Sequence, residues 1–243
     1  MSAAFTQEAQ KRSVTEYLGG LAWDGIPRLD RWLVDCAGAE DSPQVRAASR
    51  ALLVAAVRRA RQPGCRFDQL PILDGPQGSG KSRALRILAV DDAWFTDSLP
   101  IADADARQVI EATAGKWIVE ASELEQAICA RSTATEDEDD EDDDDETGTR
   151  AANLKAFLSR CVDEARMPYQ REQSRVPRQF VVVGTTASTP LLEDTGNRRF
   201  CVIRVVRFDL ERLAEIRDLL WAEAAVAEAS GEPIFVAVET PSA

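Results

Sequence analysis

The stretch Gly75–Ser82 has the residue types and spacing that bind a triphosphate. It reads GPQGSGKS and fits the pattern G-x-x-x-x-G-K-[ST]. Glycines let the backbone wrap closely around phosphates, so that consecutive N–H groups point into one anion-binding nest. In this pattern the lysine, here Lys81, places a positive charge on the β- and γ-phosphates, and the hydroxyl of Ser82 binds Mg²⁺. The motif therefore predicts ATP and Mg²⁺ as ligands.

The sequence around this motif agrees with that interpretation. The motif requires a strand before it and a helix after it. Leu70–Leu73 is a short apolar run typical of a buried strand, and Arg83–Ala89 has apolar residues at helical spacing. The residues predicted to hold the nucleotide are Gly75, Pro76, Gln77, Gly78, Ser79, Gly80, Lys81 and Ser82.

Two carboxylates are candidates for metal binding and catalysis. Hydrolysis needs one carboxylate for the metal and one to orient or deprotonate water. Glu120 ends the apolar run Trp117–Val119, which places it at the carboxyl end of a strand, where ligands bind in open α/β sheets. Glu123 follows one short turn later. We predict that Glu120 and Glu123 are catalytic residues and that they bind the metal together with Ser82. The spacing leaves their roles open, and Glu123 also suits a solvated first turn of the next helix.

Hydroxyl and guanidinium groups later in the chain complete the candidate chemistry. Thr185 and Thr186 end a β-branched run, and either hydroxyl suits contact with the γ-phosphate or attacking water. Arg198 and Arg199 stand before another strand-like run. An arginine at a subunit edge can stabilise charge on a neighbour's γ-phosphate. A surface turn with solvated arginines is an equally good interpretation of that spacing.

Alternating strand-like and helix-like segments predict an α/β fold with a mainly parallel sheet. The predicted strands are Leu70–Leu73, Lys116–Glu120, Gln179–Gly184 and Phe200–Val206. The predicted helices cover Arg28–Cys36, starting after Pro27, and residues 43–62, 83–89, 103–113, 153–162 and 209–230. Residues 1–65 form a helical N-terminal subdomain in this interpretation, 66–232 the core, and 233–243 a tail.

Charge and composition set further limits. Glu136–Glu146 is a run of eleven acids within a formal net charge of −13, so the rest of the chain carries only −2. We predict a disordered insertion over about 132–150 because like charges repel and nothing apolar is available to bury. A solvated loop is favoured over a phosphate mimic. Five scattered cysteines, no histidine, and no secretion signal or long apolar run favour a cytoplasmic protein without zinc, disulfides or membrane contact.

Several segments together resemble the virulence-associated protein E family across about residues 14–232. They are WDGIPRL (23–29), the motif at 75–82, WIVEASEL (117–124), LKAFLSR (154–160), VDEARMPYQRE (162–172), VGTT (183–186) and TGNRRF (195–200). That family is similar to superfamily 3 helicases and to the helicase halves of phage and plasmid primase–helicases. The resemblance implies a P-loop NTPase core of the AAA+ kind, with three layers, assembled as a ring of six subunits on single-stranded DNA.

The resemblance also assigns roles to individual residues. It places Glu123 at the Walker B glutamate, with Glu120 typical of the family, and Thr185 and Thr186 in the sensor 1 segment. It matches Arg198 and Arg199 to the arginine finger. Residues 163–178 lie where related helicases carry a DNA-contacting hairpin, and this region holds Arg160, Arg166, Arg171, Arg175 and Arg178 around Tyr169.

The chain departs from the family pattern in three ways. Ala187 stands where the family has asparagine, the acidic run is an unusual insertion, and no primase-like segment precedes residue 1, so that priming would need a separate primase. The sequence therefore predicts an ATP-hydrolysing motor, an oligomeric DNA helicase of phage or plasmid replication. The alternatives are a nucleotide-gated assembly or interaction protein with slow hydrolysis and no unwinding, and a small-molecule kinase.

Overall fold

The computed structural model describes residues 13–98, 105–122, 153–166, 173–187 and 199–235. The strands are β1 (Leu70–Asp74), β2 (Phe95–Thr96), β3 (Ile118–Ala121), β4 (Val162–Ala165), β5 (Ser174–Pro177), β6 (Val181–Thr186) and β7 (Phe200–Arg204). The helices are α1 (Val14–Gly19), α2 (Trp32–Ala37), α3 (Pro43–Arg61), α4 (Lys81–Ala89), α5 (Ala106–Thr113), α6 (153–159) and α7 (Leu210–Ala229).

A five-stranded sheet with the order β2-β3-β6-β1-β7 organises these elements. All four neighbouring pairs are parallel, which confirms the predicted α/β class with its mainly parallel sheet. All four predicted strands are present with shifted ends, whereas β2 and the two strands of a separate hairpin were not nominated as strands. Because parallel strands end at the same edge, the segments after β1, β3 and β6 meet there.

Helices cover both faces of this sheet, as the alternation of buried side chains shows. In β6, Val181 and Val183 belong to a cluster shared with the buried residues of α1–α4 and α7. Val182 belongs to a second cluster with Val109 of α5 and Phe157 of α6. Since successive strand residues point to opposite faces, α4 and α7 lie on one face, and α5 and α6 on the other.

The helices before the sheet are joined to α7 by polar contacts as well as by the shared core. Glu223 of α7 is 3% exposed, and its Oε2 accepts the backbone N–H groups of Arg28 at 2.6 Å and Leu29 at 3.1 Å. These two hydrogen bonds hold the segment before α2 against α7. A turn follows, in which the N–H of Arg31 donates to the carbonyl oxygen of Arg28 at 3.0 Å, and α2 begins only at Trp32. The predicted start of this helix, directly after Pro27, was wrong.

The antiparallel pair β4–β5 forms a hairpin beside the sheet. Arg178 follows it and makes a buried two-point ion pair with Asp163, at 2.6 and 2.7 Å. Its guanidinium also donates to the Phe157 carbonyl oxygen at 2.6 Å and lies 4.1 Å from the centre of that ring. Both charges are desolvated, so the loss of one partner would leave the other uncompensated. None of the helices in the described ranges is both long and apolar enough to cross a membrane.

The end of α4 contains a strained turn. Val90 has φ 71° and ψ −49°, and the N–H of Asp91 donates to the carbonyl oxygen of Ala89 at 2.8 Å. These features define a γ-turn of the rare, strained kind, here centred on a β-branched residue. Val90 nevertheless packs against the core, which compensates for its backbone conformation.

Replacement of Val90 separates strain from packing. Val90→Ala removes methyl groups but keeps the Cβ that makes positive φ costly, whereas Val90→Gly removes both. We expect V90G to be more stable than V90A by about 1 kcal/mol, because relief of strain exceeds the chain entropy that glycine adds. Urea denaturation measures the difference. A V90A protein as stable as V90G would show that the turn is unstrained.

Candidate functional site

The glycine-rich loop (Gly75–Ser82) connects β1 to α4 at the carboxyl edge of the sheet. Gly78 and Gly80 have φ of 80° and 92°, a region that other residues rarely adopt. Gly80 is the residue preceding α4, and Lys81 is its first residue, so the helix N-terminus faces the loop. Unsatisfied N–H groups and the helix dipole make this geometry attractive to anions. Pro76, Gln77 and Gly78 are exposed, while Ser79 is buried.

The Lys81 ammonium group lies over its own loop. Nζ donates to the carbonyl oxygens of Gly75 at 2.5 Å and Pro76 at 2.9 Å, and to Oγ of Ser79 at 3.2 Å. These contacts place one positive charge in the concave side of the loop. A phosphate bound there would exchange neutral carbonyl partners for charged oxygens, which form stronger hydrogen bonds with an ammonium group.

Glu120 joins two other segments at the same place. It pairs with Val183 in the sheet, so Thr185 lies two residues further along the adjacent strand on the same face. Oε1 of Glu120 accepts the hydroxyl of Thr185 at 2.6 Å and that of Ser82 at 2.7 Å. Glu120 is 1% exposed, and its Oε2 is buried without a hydrogen-bond partner among the described residues.

This donor set fits a hard divalent cation. Hydroxyl and carboxylate oxygens are the protein ligands that Mg²⁺ prefers, and it usually binds through one or two of them together with phosphates and water. Ser82 and Glu120 supply one hydroxyl and one carboxylate, and the buried, unpartnered Oε2 is an acceptor that a cation or its water could satisfy.

The remaining predicted residues lie in three different places. Thr186 follows Thr185, so its side chain faces the opposite side of the sheet. Its carbonyl oxygen accepts the N–H of Gly75 at 3.2 Å, next to the pairing of β1 with β6. Arg199 lies at the start of β7, at the other end of the sheet from the loop. Glu123 and Arg198 lie outside the described residues, as does the acidic run.

Arg199 is held at its edge of the sheet by backbone and side-chain contacts. Its carbonyl oxygen accepts the N–H of Leu70 at 2.6 Å, and its Nε lies 3.7 Å from Oδ2 of Asp68. Asp68 also accepts Nη2 of Arg66 at 2.9 Å. Burial opposes the ionisation of Asp68, but the hydrogen bond and charge of Arg66, together with Arg199, lower the pKa of Asp68. Asp68 is thus an ionised partner that sequence spacing did not indicate.

Sequence reasoning also missed the segment that lies against the glycine-rich loop. A Cβ on Gly75 would clash with the carbonyl oxygen of Val205, just after β7. The N–H of Phe208 donates to the carbonyl oxygen of Ser79 at 2.8 Å, and a Cβ on Gly80 would lie 3.4 Å from that of Phe208. These contacts join residues more than 100 positions apart, and no local pattern predicts them.

Comparison with known proteins identifies the family. The model of the virulence-associated protein E-like domain matches residues 18–136 and 144–241. The chain belongs to the virulence-associated protein E-like family. The family match is interrupted at 137–143, inside the acidic run. None of the curated proteins matches the chain.

Solved structures similar to this virulence-associated protein E-like domain include the C-terminal region of NrS-1. One apo structure of that region has a TM-score of 0.53 at 11% identity, and covers 86% of this chain and 47% of its own. A second apo structure, of residues 305–718, has a TM-score of 0.52 at 10% identity. The match covers 86% of this chain and 48% of that structure's chain. The likeness supports a shared fold, and the chain spans about half the length of those structures.

Two glycines of the loop make a matched pair for a stability test. Gly75→Ala puts a Cβ against the Val205 backbone, whereas the Cβ of Gly78→Ala meets no atom within 4 Å and adds only positive-φ strain. We expect a loss of about 1 kcal/mol for G78A and about 2–3 kcal/mol for G75A, because backbone must move. Chemical denaturation without nucleotide measures both losses. Equal losses would contradict the packing of residue 205 on the loop.

Proposed function

We propose that this chain is the ATP-hydrolysing motor domain of a phage- or plasmid-type replication protein, an oligomeric DNA helicase. The observation that carries the proposal is the junction of Ser82, Glu120 and Thr185 at the end of the glycine-rich loop. A loop with this sequence between a strand and a helix suits a triphosphate, and a buried carboxylate beside it suits the accompanying metal.

The proposed chemistry assigns each described group a task. Loop N–H groups and Lys81 bind the phosphates, and Ser82 with Glu120 holds Mg²⁺. When bound, Mg²⁺ neutralises charge on the phosphate oxygens. The Thr185 hydroxyl, 2.6 Å from Glu120, is suited to orient the attacking water or a γ-phosphate oxygen. Glu123, outside the described residues, remains the proposed second catalytic carboxylate.

The position of Arg199 supports action between subunits. Leu70, its backbone partner, begins β1, and Gly75 follows five residues later. At about 3.3 Å per residue, the two ends of that strand lie roughly 16 Å apart. An arginine side chain does not bridge that distance and still contact a γ-phosphate. If Arg199 stabilises phosphate charge, it therefore does so on a neighbouring copy, as in a ring. Arg198, outside the described residues, is the other candidate for this role.

The β4–β5 hairpin supports a nucleic-acid partner. Arg175 projects from β5 with a side chain that is 72% exposed, although it pairs with Glu164 at 2.7 Å. The hairpin matches the segment that the family resemblance relates to DNA contact, and single-stranded DNA is the proposed ligand. A separate primase is the proposed supplier of primers.

A nucleotide-gated interaction protein is the second candidate. Ala187 cannot make the polar contact of an asparagine, which favours slow hydrolysis, and the acidic run suits partner capture. Such a protein would bind ATP but displace no strand from a forked DNA duplex, whereas a helicase would displace one. This assay separates the two candidates.

Removal of the loop's ammonium group tests the site directly. We expect Lys81→Ala to lower the rate of ATP hydrolysis at least about 100-fold, because it removes a preorganised charge from the phosphates. Lys116→Ala is the matched control, since Lys116 precedes β3 at the opposite edge of the sheet. Malachite-green detection of phosphate measures both rates. Equal rates for K81A and the unmodified protein would refute the assigned site.

Mixing of two inactive variants tests action between subunits. An R199A subunit keeps Lys81 in its loop, and a K81A subunit keeps Arg199. A site is complete where the loop of an R199A subunit faces the arginine of a neighbouring K81A subunit. We expect equal mixtures to recover about a quarter of the normal rate, since one interface in four is complete in a randomly mixed ring. The ATPase rate of the mixture is compared with those of the separate variants. No recovery would contradict this role of Arg199.

A further inference from the structure

Two residues lie between the points where the chain after β7 contacts the glycine-rich loop. Val205 packs on Gly75, and Phe208 packs on Gly80 and donates to Ser79. Both contacting residues are buried, whereas Val206 and Arg207 between them are exposed. Consecutive Cα atoms are 3.8 Å apart, so Val206 lies next to the loop's first glycine.

Val206 is an apolar side chain left open beside a polar loop. It is 67% exposed, more than any other large apolar residue among those described. Its N–H donates to the carbonyl oxygen of Ala37 at 2.9 Å, which fixes its backbone against the end of α2. Gly38 has φ 64°, and a Cβ there would lie 3.3 Å from that of Val206. The result is a small apolar ledge of fixed geometry.

The strand order determines which part of a nucleotide this ledge would meet. Glu120 is on β3, two strands from β1 on one side, and Val206 follows β7, the neighbour of β1 on the other side. Strands lie about 4.8 Å apart, so the carboxylate and the ledge are on opposite sides of the loop. If a triphosphate has its γ end near Glu120 and its phosphates run across the loop, its nucleoside lies on the side of Val206.

We infer that Val206 and Gly38 form a subsite for the base of a nucleoside triphosphate. This inference rests on the proposed function and identifies the part of the ligand beyond the phosphates. An aromatic base is large and apolar on its faces, and it gains free energy when it covers exposed apolar surface. Arg207 is exposed next to Val206, and guanidinium groups stack on aromatic rings. Asp209, the nearest acid in the segment, is occupied as the cap of α7.

Inorganic tripolyphosphate is the probe that separates base from phosphate binding, because it has the phosphates of ATP and no base. The variant is Val206→Asn, which adds no charge and leaves the buried residues in place. Its matched control is Val226→Asn, at a valine of α7 that is 44% exposed. Calorimetry with Mg²⁺ gives the Kd of ATP and of tripolyphosphate for each protein.

We expect V206N to raise the Kd of ATP about fivefold and to leave that of tripolyphosphate unchanged, because only the base loses apolar contact. V226N should change neither value. An unchanged affinity for ATP in V206N, or equal weakening of both ligands, would overturn the subsite. If the unmodified protein binds tripolyphosphate as tightly as ATP, the phosphate site stands and the base subsite fails. If it binds neither ligand, the proposed function fails as well.

Discussion

One buried carboxylate oxygen joins the three segments on which the candidate site depends. Oε1 of Glu120 accepts hydroxyl groups from Ser82 and Thr185, which are 38 and 65 residues away. A carboxylate that is 1% exposed is costly unless hydrogen bonds compensate for its lost hydration. The two hydroxyls supply that compensation for one oxygen only. The arrangement therefore fixes the end of the glycine-rich loop to β3 and β6, whereas Oε2 has no hydrogen-bond partner in the part of the chain that the structure describes.

The parallel sheet makes this junction possible. Glu120 and Thr185 point to the face that α4 covers, because each is an even number of residues from Ile118 or Val183, whose side chains are buried on that face. Ser82 is on the first turn of α4 and approaches from above the same face. A register shift of one residue in β3 would turn Glu120 toward α5 and α6 and bring Val119 under the loop. The apolar clusters on the two faces oppose such a shift.

Local sequence patterns predicted the parts of the fold that depend on local chemistry. The glycine motif, the four apolar strands and the cap of α7 by Asp209 all follow from residues within one short window. The start of α2 was not predicted correctly, and the segment before it is bound by Glu223, which lies 195 residues from Arg28 and is invisible to any local pattern. Strand β2 was not predicted either, because it has only two residues, Phe95 and Thr96. Within the site, spacing nominated Glu120 and Thr185 but could not show that they share a hydrogen bond.

Strand β6 connects the candidate site to the hairpin. Thr185, at its carboxyl end, contacts Glu120, and Arg178 lies just before its amino end, in the ion pair with Asp163. Between these residues β6 is hydrogen-bonded to β1 on one side and to β3 on the other, so it has little freedom to stretch or twist. Arg178 is also fixed by Gly64, whose N–H donates to its carbonyl oxygen at 2.9 Å. A movement of the hairpin base must therefore either break the buried Arg178–Asp163 pair or move β6 as a unit. Breaking the pair would leave a desolvated charge without a partner. Movement of the hairpin together with β6, which carries Thr185, therefore costs less free energy than movement of the hairpin alone.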